Sequence, residues 1–107
     1  MDRLMKAREL AIMLNDMTRA GPDHDNLEDQ QMTLLQLADD SIEIAAELMP
    51  VIMQIPDTRQ RSVLTGYYLN GEQIKDIAYR MSIPREEVCS IKDAAMKSYE
   101  QVTAAQG

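Results

Sequence analysis

Tryptophan and phenylalanine are absent from this chain of 107 residues, and cysteine and histidine occur once each. Without the large aromatics, a core has to be built from Leu, Ile, Ala and the nine methionines, which are good helix formers and flexible packers. β-branched residues are also comparatively sparse, so strands are disfavoured and an all-α fold is expected. The single cysteine, Cys89, excludes an internal disulfide and suits a reducing cytoplasm, where the chain is expected to reside. One Cys and one His are too few donors for a zinc site, so no metal is expected. No stretch of 18 or more apolar residues occurs, and the first residues carry charge and no apolar h-region, so neither a membrane span nor a signal peptide is expected. No Gly-rich phosphate loop, Ser/His/Asp set or pair of facing carboxylates is recognisable. Catalysis, a cofactor and a small-molecule substrate are therefore not expected.

What is present is an uneven charge distribution. The net charge is −7. Residues 1–56 hold four Lys/Arg against eleven Asp/Glu, whereas residues 57–107 hold seven of each. All of the excess acid lies in the first half, which points to two halves with different tasks.

Helical periodicity runs through both. Leu4, Ala7, Leu10, Ala11, Leu14 and Met17 make one stripe of a helix over about Asp2 to Arg19, which Gly21-Pro22 should end. Asp23 to Asn26 reads as a polar connector, with His24 in a solvated loop and Asp25 or Asn26 as a cap. A long helix follows from about Leu27 to Met49 or beyond, with a kink or restart expected at Pro50. Its apolar positions, Leu34, Leu35, Ala38, Ile42, Ala45, Leu48, Met49 and Ile52, form a stripe wide enough for more than one neighbour. The first helix can fold back over one side, and a second copy of the chain can cover the rest. A homodimer interface is thus expected at Leu34, Leu35, Ala38, Ile42, Ala45 and Met49. Met49 and Met53 also suit an adaptable partner surface. The acidic run Asp39-Asp40 with Glu43 and Glu47 reads as a solvated face, or as a surface for a basic partner.

After Pro56 the elements shorten. A cap at Asp57 or Thr58 opens a helix over about Arg59 to Leu69, with Val63, Leu64, Tyr67 and Tyr68 as core residues. Asn70-Gly71 signals a turn. Helices are then expected over Glu72 to Met81 and from Pro84 or Arg85 onward, joined at Ser82-Ile83-Pro84. This is the shape of a helix-turn-helix, with Ala78 small where the helices cross, Ile83 plugging the corner, and Val88 and Ile91 locking the second helix. Arg85, Glu86, Cys89, Ser90, Lys92, Asp93 and Lys97 remain outward, and the first exposed residues of such a helix are those that reach base edges in a major groove. Cys89 reads as an ordinary helix residue, with no histidine beside it to activate it. The expected division is a helical hairpin and dimerisation region over 1–55, a helix-turn-helix over 56–103, and a frayed tail over 104–107.

Arg59-Gln60-Arg61-Ser62-Val63-Leu64, Tyr67-Tyr68-Leu69-Asn70-Gly71, Ile74-Lys75-Asp76-Ile77-Ala78, Ile83-Pro84-Arg85-Glu86-Glu87-Val88 and Ala95-Met96 together resemble region four of sigma factors. The layout is more closely similar to small sigma-region-four-like regulators of phages and prophages, the ArpU-like group among them. The resemblance covers about 45 residues and implies a transcription regulator that binds double-stranded DNA, with RNA polymerase as a further partner. It places Arg85, Glu86 and Ser90 where bases are read, since arginine suits guanine and glutamate suits cytosine N4. Arg59, Arg61, Lys75, Arg80, Lys92 and Lys97 become candidates for phosphate contacts, which position without specifying. Departures from the pattern are Glu87 and Cys89 in place of basic residues, Ser82 for a turn glycine, and Pro84 for a capping hydroxyl. They leave the reading face close to neutral, so strong binding calls for a dimer or a polymerase partner. Two alternatives use the same fold: a protein-binding module that docks on RNA polymerase or a host regulator, and a small terminase or packaging accessory subunit.

Overall fold

A computed structural model describes residues 2–20 and 27–106 of the chain. Among them are five α-helices, one π-helical turn and no strand: α1 (Asp2–Ala20), α2 (Leu27–Ile52), α3 (Thr58–Leu64), the π turn (Thr65–Leu69), α4 (Ile74–Met81) and α5 (Arg85–Gln106). The all-α reading of the composition is correct. The expected terminator Gly21-Pro22, connector 23–26, His24 and the cap at Asp25 or Asn26 lie outside the described residues.

α1 buries the stripe its periodicity marks, with Leu4, Ala7, Leu10 and Ala11 inside and Leu14 and Met17 partly covered. It packs along α2, and Arg3 closes the seam by donating from Nε and Nη2 to the two Glu47 carboxylate oxygens at 2.7 and 2.8 Å. That bond, more than the proximity of charge, holds the Glu47 carboxyl below its ordinary pKa. α2 does not restart at Pro50 but continues to Ile52. Pro50 lies in the last turn, its missing N–H leaves the helix one donor short, and its own carbonyl accepts from Gln54 Nε2 at 3.3 Å. The core-facing stripe of α2 is Leu37, Ile44, Leu48 and Ile52, while Leu35 and Ile42 point outward. A helix apolar on most sides does not reveal by periodicity which side the neighbours will choose.

α3 is capped by Asp57, whose Oδ1 accepts from the Arg59 and Gln60 amides at 2.9 and 3.2 Å. Where one helix was expected to reach Leu69, α-helical hydrogen bonding stops at Leu64 and the chain widens into the π turn. The Asn70 amide donates back to the Thr65 carbonyl at 3.0 Å, five residues away. The extra residue buries Gly66 and Tyr68 on the inner side. α4 starts at Ile74 instead of Glu72 because the preceding residues are occupied by the turn. Gly71 has a φ of 70°, and the Glu72 amide donates to the Gly66 carbonyl at 2.9 Å.

Two clusters make the core. The larger unites Leu4, Ala7 and Leu10 of α1 with the α2 stripe, Ile55, Leu64, Tyr68, and Ala95 and Tyr99 of α5, drawing residues from both sides of position 56. The smaller holds Val63, Ile77, Ala78 and Val88, ringed by Ile74, Met81, Ile83 and Ile91. α5 is helical as far as Gln106, through residues expected to fray. Val102 packs on the larger cluster, and Thr103 Oγ1 donates to the Glu100 carbonyl at 2.9 Å.

Candidate nucleic-acid interface

The smaller cluster fixes the angle between α4 and α5. Ala78 is buried at their crossing, Val88 is fully buried, and Ile83 and Ile91 pack against them, each in the place its spacing implied. Ser82 ends α4 in the left-handed region, with φ 58° and ψ 43°. Its amide donates to Tyr79 O at 3.2 Å and the Ile83 amide to Ala78 O at 3.1 Å, a Schellman closure with Ile83 resting on Ala78. A glycine would adopt this geometry freely; serine does so under strain. α5 then begins at Arg85, with the Pro84 carbonyl accepting from the Glu87 and Val88 amides at 3.1 and 3.2 Å.

The three residues expected to read bases stand together and unobstructed. Arg85, Glu86 and Ser90 are all exposed on the first turns of α5, next to exposed Cys89. The Tyr79 ring is almost wholly exposed on the last turn of α4 and lines a shallow groove with Ser82, Ile83, Pro84 and Arg85. Sequence reasoning overlooked Tyr79. The available signal was its place four residues after Lys75, on the side of α4 away from Ile74, Ile77 and Ala78.

The six candidate phosphate ligands divide. Lys75 and Lys97 are exposed and make no hydrogen bond or ion pair among the described residues. Arg59 is exposed but lies 3.2 Å from Glu87 Oε1. The other three are engaged in the fold. Arg61 donates to the Ile55 carbonyl and to Thr58 Oγ1. Arg80 grips the Glu72 carboxylate at 3.0 and 3.2 Å and donates to Ser62 Oγ at 3.1 Å. Lys92 places its Nζ 4.4 Å from the centre of the Tyr67 ring. Arg8 of α1 lies over the same ring at 3.6 Å and donates to the Tyr67 and Glu72 carbonyls. α1 is therefore bonded directly to the turn that supports the helix-turn-helix. Arg8 carried no marker in the sequence, because its acceptors are backbone atoms 59 and 64 residues away.

No cluster of three or more metal-ligating side chains occurs among the described residues, and no helix there is long and apolar enough to cross a membrane. Of the six residues expected at a dimer interface, Leu35 and Ile42 are exposed, and Leu34, Ala38, Ala45 and Met49 are half-buried.

The fold and this face define an all-α protein carrying a helix-turn-helix with an open second helix. Residues 57–98 match the model of the family Sigma-70, region 4, so the C-terminal part is a sigma-region-4-like helix-turn-helix. That family is a DNA-binding, non-enzymatic one whose domains bind DNA and RNA polymerase. No curated protein and no solved structure matches the chain.

Proposed function

We propose that the chain is a sequence-specific DNA-binding transcription regulator of the phage or prophage type, acting in the cytoplasm of a bacterial cell as a homodimer. The observation that carries this reading is the open group Arg85, Glu86 and Ser90 on the first turns of α5, held by a sigma-region-4-like core. Arg85 pairs with a guanine and Glu86 with a cytosine amine in the major groove, while Lys75 and Lys97 rest on phosphates, joined by Arg59 where it leaves Glu87.

A second element of the proposal follows from how few cations are left over. Arg61, Arg80 and Lys92 are held by internal contacts, and Arg59 by Glu87. This favours assistance from RNA polymerase, whose own DNA contacts would supply the missing affinity. The test is a fluorescence titration of phage late-promoter duplexes at 50 mM salt and above. With two or three phosphate contacts per subunit, log K is expected to fall against log salt with a slope of about −2 to −3 per subunit. Absence of any salt-dependent binding, with and without polymerase, would remove the proposal.

A further inference from the structure

Four of the large apolar side chains left exposed by the fold lie on one line of one helix. On α2, Met32 is 70% exposed, Leu35 64%, Ile42 67% and, just past the helix end, Met53 60%. They fall at positions 32, 35, 42 and 53, and the helical steps between them are filled by Asp39, exposed Ala46 and half-buried Met49. Half-buried Ala38 and Ala45 run along one edge. The strip is about 32 Å long at 1.5 Å per residue and one helix wide, the size at which an exposed apolar patch marks an interaction site.

The charges decide what covers it. α2 contains six Asp/Glu and no Lys or Arg, which at first suggests a basic partner. Three of the four acids of its middle and second half, however, lie toward α1. Glu47 is held by Arg3, and Asp40 and Glu43 line a cleft with Arg3 and Lys6. Asp39 is the one charge on the strip itself between Met32 and Met53. A surface with so little charge offers a basic protein nothing to recognise. It suits an equally apolar and smooth surface, which a second copy of the same helix supplies.

We propose that α2 packs antiparallel on α2 of a second copy, with Ile42 on the two-fold axis. This rests on the homodimeric reading above and gives it a register. With Ile42 facing Ile42, Leu35 meets Met49 and Ala38 meets Ala46, so the large side chains at the centre of the strip have large partners and the alanines allow close helix approach, while Met32 and Met53 lie at its two ends. Asp39 then faces Ala45. A parallel pair would instead set Asp39 against Asp39, and would align the two helix dipoles unfavourably. The isologous arrangement leaves the two α5 helices related by the same axis, as paired half-sites require.

The experiment uses the full chain with Cys89→Ser, so that introduced thiols are the only ones. Sedimentation equilibrium is expected to give twice the chain mass of 12.1 kDa. Under mild oxidation Ile42→Cys is expected to form a disulfide-linked dimer alone. Leu35→Cys and Met49→Cys are expected to cross-link when mixed and not when separate. Cross-linking of Leu35→Cys with itself would overturn the antiparallel register, and a monomer or a ring of eight or more subunits would overturn the interface. Ile42→Glu is expected to give a monomer with unchanged helix content, because Ile42 lies outside the core. That monomer is expected to bind a single half-site as the parent does, but to lose the gain from a second half-site. Loss of half-site binding by the parent would count against DNA reading. A parent chain that binds a half-site without self-associating, or an Ile42→Glu variant that still self-associates, would count against this interface.

Discussion

Ser82 is the one non-glycine residue among those described with a positive φ, and it stands at the corner that joins α4 to α5. A side chain in this region costs about 1 kcal/mol, so Ser82→Gly is expected to raise stability by roughly 0.5 kcal/mol after the greater entropy of the unfolded glycine chain is subtracted. Urea unfolding should show a higher midpoint at unchanged slope; a lower midpoint would mean that the hydroxyl has a role of its own. Two tyrosines give a second residue-scale expectation. Burial raises the pKa of both Tyr68 and Tyr99 above the ordinary 10.0, with nearby Tyr67 and Glu47 respectively adding to it. The folded state thus prefers the neutral phenols. Their contribution is complete below pH 10.0 and declines as pH rises past it. Alkaline unfolding followed by circular dichroism is expected to be shallower in Tyr99→Phe. Glu47 works in the opposite sense: its lowered pKa means that the Arg3 bond contributes above the ordinary carboxylate range and is lost as the solution becomes acid.

At the scale of elements, what the sequence displays depends on whether the cause is local. The α1 stripe, the Asp57 cap, the Asn70-Gly71 turn and the Ala78, Ile83, Val88 and Ile91 packing positions are all local, and each is found where its spacing puts it. The π turn has no such marker. Thr65 to Leu69 reads as the continuation of α3, and the widening follows from contacts made by distant residues. Its Gly66 lies beneath the Glu72–Arg80 pair, where an added Cβ would come within 2.5 Å of Glu72 Oε1. Arg8 secures the turn from α1. Arg8→Ala removes two charged hydrogen bonds to carbonyls and is expected to cost about 2 kcal/mol, measured by urea unfolding. An unchanged midpoint would show that α1 and the turn are independent. The orientation of α2 was likewise not legible, because apolar residues occur on most of its sides and it is α1, the π turn and α5 that decide which are covered. The same limit applies to the phosphate candidates. The resemblance offered six; only the structure separates exposed Lys75 and Lys97 from Arg61, Arg80 and Lys92, which bond within the fold.

For the whole molecule, the separation of charge is the organising fact. Within the described part of the first 56 residues the acid excess lies on α2, with six Asp/Glu and no Lys or Arg, whereas α1 carries four Lys/Arg against three Asp/Glu. On the proposed reading, one copy of such a molecule binds DNA weakly, and specificity rests on a few side chains and on the pairing of two α5 helices. The most direct measurement compares the parent chain with Arg85→Ala on duplexes that vary one base pair at a time. Expected is a loss of preference at one G·C step, about 1 to 3 kcal/mol in discrimination, with non-specific affinity nearly unchanged. An identical sequence profile for the two proteins, or equal loss on every duplex, would contradict base reading by α5.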